Sequence, residues 1–237
     1  MRELQVCDLG MRSYADVLEL QRALARARIS GAIAQDVLLL VEHRPVVTLG
    51  RSSKANHLLA SPTLLAARGV ELFEVERGGD VTFHGPGQLV GYPIFDLKRH
   101  KQDLHWYLRQ VEEALIRGVA PFGIVGERNV GYTGVWTQGR KLASIGVHAR
   151  DWVTWHGFAL NVTTDLSYFG LMVPCGIADV EMTSVARECT PELGDEATLA
   201  LRTRAQVADA FAGVFSLEQR ALDPAQLEAL LLGAASP

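Results

Sequence analysis

Cysteine is scarce in this chain: Cys7, Cys175 and Cys189 are odd in number and form no CxxC pair. A disulfide framework and a zinc-ligand pair are thereby excluded, and free thiols point to a reducing compartment. Long apolar runs are missing as well, since none approaches the roughly 18 residues of a membrane span. The N-terminus, Met1-Arg2-Glu3-Leu4-Gln5, has no basic region leading into an apolar stretch. A cytoplasmic protein with no membrane segment is expected. Basic excess is lacking too. The formal net charge is -4 and the isoelectric point about 6.0, which argues against nonspecific nucleic-acid binding, because that needs cations to neutralise phosphates. No GxxxxGKS or GxxxxGKT phosphate loop occurs, and Gly85, Gly87 and Gly91 lack dinucleotide spacing.

What is present suits one large domain. The 237 residues are 48% hydrophobic and 21% charged, without disordered or coiled-coil bias. Leu4 to Leu9 reads as a strand, and Ser13 with Asp16 forms a capping box before a helix that Gly31 ends. The continuous run Val37 to Val41 reads as a strand buried on both faces. Across Pro45, Val46 to Gly50 should form a strand-turn-strand pair with it. Ser61-Pro62 opens a short helix. Strands follow at Val70 to Glu76, Val81 to His84 and Leu89 to Leu97, and Asp103 caps an amphipathic helix closed by Pro121. Gly131 to Val162 alternates β-type segments with turns, so the sheet is mixed or partly antiparallel. Thr203 to Phe215 and Pro224 to Leu232 read as closing helices, with a tail that frays.

Four segments carry unusual residues. Arg77-Gly78-Gly79-Asp80-Val81-Thr82-Phe83-His84-Gly85-Pro86-Gly87-Gln88 combines glycines that permit close backbone approach with Arg and His donors, though a turn-rich hairpin has the same composition. Lys141 begins an apolar strand whose small residues, Ala143, Ser144 and Gly146, leave room for an extended ligand. A lysine there either pairs with an anion or becomes a perturbed amine, unless it simply points to water. His156-Gly157-Phe158-Ala159 lies in another apolar strand, where a lone histidine is commonly structural. Pro174-Cys175-Gly176-Ile177 sets a thiol in a fixed turn. A free thiol near pKa 8.5 needs a neighbouring cation to be a nucleophile, and otherwise is an inert cysteine. Arg44, Arg51 and Lys54, and Lys98, Arg99 and Lys101, are local basic groups for an acidic partner or plain solvated charge.

Taken in order, RGGDVTFHGPGQLVGYPIFDL at Arg77 to Leu97, RKLASIGV at Arg140 to Val147, HGFALNV at His156 to Val162 and PCGI at Pro174 to Ile177 closely resemble the lipoyl(octanoyl) transferase family. The resemblance runs from the first strand to about Val185. It implies an α/β (α+β) fold, a mixed sheet with flanking helices like the catalytic domain of biotin protein ligases and lipoate ligases. It implies one acyltransferase domain over residues 1–218, with 219–237 as a C-terminal helix and tail. It further implies Cys175 as the acyl-thioester nucleophile, activated by Lys141. Arg77, Gly78, Gly79, Asp80, Val81, Thr82, Phe83 and His84, together with Ser144, Ile145, Gly146, Gly157, Phe158 and Ala159, would line the acyl and thioester site.

The implied donor is acyl carrier protein, whose phosphopantetheine arm carries the octanoyl group. The implied acceptors are lipoyl domains of 2-oxoacid dehydrogenase E2 subunits and the glycine cleavage H protein. Neither ATP nor metal is expected. Either Lys141 or His84 would take the acceptor's proton, and backbone amides near Gly78, Gly79, Cys175 and Gly176 would face the developing oxyanion. Competing readings are an ATP-dependent lipoate ligase on the same fold, a thioester hydrolase pairing Cys175 with His84 or His156, and a noncatalytic carrier of acyl chains or lipoyl domains.

Overall fold

The computed structural model describes residues 2–177, 180–189 and 195–235. Strand β1 (Glu3–Arg12) leads into helix α1 (Tyr14–Ser30), where the Ser13 hydroxyl accepts from the Asp16 amide and Gly31 closes the last turn. Then come β2 (Asp36–His43), β3 (Val46–Leu49), α2 (Pro62–Ala67), β4 (Glu71–Glu74), β5 (Val81–His84) and β6 (Gln88–Ile94). The Asp103 carboxylate accepts from the Trp106 amide to cap α3 (Leu104–Val119). The chain continues through β7 (Glu127–Asn129), β8 (Tyr132–Thr137), β9 (Arg140–Arg150) and β10 (Val153–Asn161). It closes with α4 (Val185–Glu188), α5 (Glu196–Phe215), β11 (Glu218–Ala221) and α6 (Pro224–Ala235).

The strands form a mixed eight-stranded sheet, ordered β11-β1-β2-β6-β10-β9-β8-β7, and a three-stranded sheet ordered β4-β3-β5. In the large sheet β1 runs parallel to both β11 and β2, and the remaining pairs are antiparallel. The strand period of two splits the run in β2 between two cores. Leu38 and Leu40 join Val111 and Leu115 of α3 and Val207 and Phe211 of α5. Val37, Leu39 and Val41 join Val17 and Leu24 of α1 and Leu227 of α6. Each such side chain taken from water contributes about 1.5–3 kcal/mol, so helices packed on both faces hold the sheet, whose central strands β6, β10 and β9 form a platform.

The structure departs from the sequence reading in several places. β2 and β3 do not pair. The edges of β2 are already bonded to β1 and β6, and beyond Pro45, which has no N–H to offer a ladder, β3 finds its partners in β4 and β5. β11 escapes detection because Glu218–Ala221 is exposed throughout and has no apolar alternation; it exists by backbone pairing to β1. The expected division at 218/219 therefore falls inside a strand of the main sheet. α5 starts before Thr203, at Glu196, where Asp195 caps the Thr198 amide. α6 runs on past Leu232 to Ala235, and the last two residues of the expected tail lie outside the described residues. Among the described residues no helix is long and apolar enough to cross a membrane.

Candidate active site

A cavity of about 460 Å³ opens between the β6-β10-β9 platform, the segment entering β5, and a turn at Pro174–Gly176. Cys175 and Lys141 both line it. So do Arg77, Gly78, Gly79, Asp80, Thr82 and His84 from the first unusual segment, Ser144, Ile145 and Gly146 from β9, and Gly157, Phe158 and Ala159 from β10. Val81 and Phe83 do not. Alternation along β5 turns Thr82 and His84 toward the cavity and sends Val81 and Phe83 to the opposite face, into a core with Phe169, Leu171 and Met172. The expectation that the whole stretch from Arg77 to His84 lines the site is corrected at those two positions.

Cys175 is half-buried and sits at φ +55°, in the left-handed region. Its turn is fixed by two short-range bonds, Gly176 N to Val173 O at 3.0 Å and Ile177 N to Pro174 O at 3.1 Å. The thiol lies 3.5 Å from the Ser144 hydroxyl. Lys141 is nearly fully enclosed, 1% exposed, with its ammonium 4.8 Å above the Trp136 ring. Among the described residues it makes no ion pair with a carboxylate, and the Trp136 ring faces its charge instead. A register shift in the β8–β9 ladder, where Val135 faces Ala143 but Trp136 faces Lys141, explains how Lys141 and Ser144 both reach the cavity. A regular strand would aim them to opposite faces, and the bulge re-aims one.

Arg77 supplies a second enclosed cation. It is 7% exposed and is held by Thr48 O at 2.7 Å, Thr48 Oγ1 at 2.9 Å and Gly78 O at 3.1 Å, all neutral acceptors. Burial presses its guanidinium below the ordinary arginine value. Gly146 makes room for it: a side chain there would meet Gly78 O at 2.7 Å and Arg77 Cδ at 3.3 Å. The amides of Gly78 and Gly176 already donate to Val147 O and Val173 O, which removes both from the expected oxyanion donors.

The two histidines weighed as bases both line the cavity and are both buried. His84 has its Nδ1 2.8 Å from Gln88 Oε1, and burial, with help from neighbouring His43, pushes its pKa down to about 3. His156 is 1% exposed, and burial also lowers it; its Nε2 is 3.6 Å from Glu76 Oε1, ion-pair range but beyond a hydrogen bond. The sulfur's hydrogen-bond contact is with Ser144 rather than with either imidazole.

Sequence reading missed other parts of the wall. Tyr14, Val90 and Tyr92 line the cavity as well, and so do Leu104, His105 and Leu108 of α3 and Gly131, Tyr132 and Thr133 at the start of β8. Tyr14 was hidden as the first residue of an ordinary capped helix, and the α3 residues as part of an apolar stripe. Only tertiary packing brings them to the cavity.

The model of the lipoyl protein ligase A/B catalytic domain matches residues 13–206. An octanoyltransferase of Gloeobacter violaceus is 47% identical over 222 residues, covering 94% of this chain and 93% of its own. One from Koribacter versatilis is 52% identical over 206 residues, covering 85% and 82%. Among solved structures, a putative lipoate protein ligase from T. acidophilum with bound lipoic acid superimposes with a TM-score of 0.73 at 14% identity, covering 98% of this chain and 94% of that one. A lipoate-protein ligase A bound with ATP gives the same TM-score and identity, covering 98% and 92%. At that identity the structural likeness speaks for the fold, which is the mixed sheet with flanking helices expected from the sequence.

Proposed function

Because this chain belongs to the lipoyl protein ligase A/B catalytic-domain family, we propose that it is an octanoyltransferase that moves an acyl group from a carrier-protein thioester to a lysine of a lipoyl domain. The observation that carries this reading is the sharing of one cavity by Cys175, Ser144 and Lys141. The Cys175 thiolate attacks the donor carbonyl, the carbon–sulfur bond to the phosphopantetheine arm breaks, and the carrier leaves as a thiol with a proton from the Lys141 ammonium. One thioester replaces another, so the step is close to thermoneutral. The acceptor lysine of an E2 lipoyl domain or H protein then attacks the acyl-enzyme, an amide forms, and Cys175 is regenerated.

Lys141 is the better proton acceptor in the second step. His84, held near a pKa of about 3, takes protons poorly at neutral pH. Ser144 stabilises the thiolate by hydrogen bonding, and the Arg77 guanidinium adds positive potential to the cavity where charge develops on the thioester oxygen. An adenylate plays no part in this scheme, and free thiols at Cys7, Cys175 and Cys189 suit a reducing cytoplasm.

Intact-mass measurement after mixing the protein with octanoyl carrier protein tests the scheme. One octanoyl adduct is expected, located on Cys175 and discharged by apo lipoyl domain without ATP. A Cys175→Ala variant that still transfers, or transfer only from free octanoate plus ATP, overturns it. Release of free acid without an acceptor amine would make the protein a hydrolase instead.

A further inference from the structure

Behind the thiol turn, outside the cavity lining, stands His57, and its partner is Asp80. We propose that this pair is a positioning device for Cys175: His57 and Asp80 form the anvil on which the thiol turn is seated. The idea rests on the reading of Cys175 as the nucleophile.

The two residues approach from separate segments. His57 Nδ1 donates to Asp80 Oδ2 at 2.5 Å, while Asp80 Oδ1 accepts from the Val81 amide at 2.7 Å, so both carboxylate oxygens are tethered. His57 is anchored in turn by its amide, which donates to Lys54 O at 2.9 Å. The pair meets the turn at two points. The carbonyl of His57 accepts from Val173 N at 2.7 Å. Gly176, at φ +66°, lies so close that a side chain there would come within 2.4 Å of Asp80 Oδ2 and 3.0 Å of the His57 ring.

Cys175 and Gly176 are thus two successive left-handed residues, and a cysteine adopts that conformation only when its surroundings impose it. The surface that fits against Gly176 is the Asp80 carboxylate and the His57 ring. Remove the pair and the turn can relax, carrying the thiol off Ser144. Nucleophile placement is a geometric requirement with a steep penalty, about a hundredfold for a shift near 1 Å. Acyl-chain affinity, set by the platform strands, should be spared.

The test compares His57→Ala, His57→Asn and Asp80→Asn in the full-length protein, with thermal melts to confirm folding. Asn places an amide N–H where the histidine Nδ1–H stands, so it restores the bond to Asp80 without an imidazole. Readouts are kcat and KM for octanoyl carrier protein, and the iodoacetamide rate at Cys175, followed by peptide mass spectrometry. The alkylation rate requires no acyl substrate, so it separates failure of this proposal from failure of the octanoyl-transfer reading. For folded His57→Ala, kcat is expected to fall ten- to a hundredfold at near-constant KM, with a changed alkylation rate and substantial recovery in His57→Asn. Unchanged kcat and alkylation in folded His57→Ala and Asp80→Asn would overturn the proposal. So would a rise in KM alone, or equal losses in His57→Ala and His57→Asn. Should Asp80→Asn not fold, the His57 pair of variants decides.

Discussion

The Ser144 hydroxyl lies 3.5 Å from the Cys175 sulfur. A hydroxyl at that distance donates to a thiolate but gains less from a neutral thiol, so it favours the charged nucleophile. A hydrogen bond to a charged group contributes about 1.5–3 kcal/mol. Replacing Ser144 with Ala is expected to slow both Cys175 alkylation and acyl-enzyme formation at neutral pH roughly tenfold. Unchanged alkylation and acylation rates would show that the contact is incidental.

Lys141 presents a different chemistry, an enclosed ammonium against Trp136. If it supplies and recovers the proton of transfer, Lys141→Met should lower kcat by about 10²–10⁴, the usual span for a lost general acid–base group. Lys141→Arg should not rescue it. A guanidinium keeps the charge but cannot give up a proton at working pH, and its planar fork does not fit a site shaped for a compact ammonium. Rapid-quench single turnovers measure both; an active Arg variant would reduce the role of Lys141 to charge alone.

Much of this site was legible in the chain because its signals are local. A cap such as Ser13 or Asp103 acts within one helical turn, and the Pro-Cys-Gly turn and the small residues of β9 declare themselves in a few letters. What stayed hidden depends on distance. Tyr14 and Leu104 are separated in sequence yet line the same cavity, and nothing in either helix marks that. β11 has no pattern to read because its strand character comes from β1. Val81 and Phe83 went astray for the opposite reason: a contiguous motif suggests a contiguous surface, whereas a strand presents only every second side chain to one face.

Gly91 offers a test of the acyl wall. It pairs with Phe158, and a Cβ at position 91 would come within 2.1 Å of the Phe158 ring, which lines the cavity. Gly91→Ala must therefore push that ring toward the space proposed for the acyl chain, since the opposing backbone is locked in the β6–β10 ladder. Overpacking of this kind costs about 1–3 kcal/mol of stability. KM for octanoyl donor should rise several-fold, with a shorter acyl chain affected less. Equal effects on butanoyl and octanoyl donors would place the chain elsewhere.

Acid stability provides a test that needs no substrate. Burial holds His43 at about 4 and His84 at about 3, against 6.5 for an unfolded histidine. Between those values the unfolded chain binds protons that the native chain refuses, so stability is full above about pH 6.5 and falls as pH drops toward 4 and then 3. Depressed carboxylates add to the fall at the acid end of that range. Glu76, which His156 and then Arg22 and Trp155 hold below the usual range, begins to lose its share as the unfolded glutamate protonates near 4.5, and Asp36, held down by His100 and the Asp96 amide despite burial, follows in stronger acid. The two histidines should together cost a few kcal/mol between pH 7 and pH 4. Urea midpoints across that range should fall steadily, and His43→Gln, which cannot take up the proton, should flatten the slope even if its stability at pH 7 is lower. A wild-type midpoint that holds constant or rises on acidification would mean that these imidazoles are protonated in the native protein.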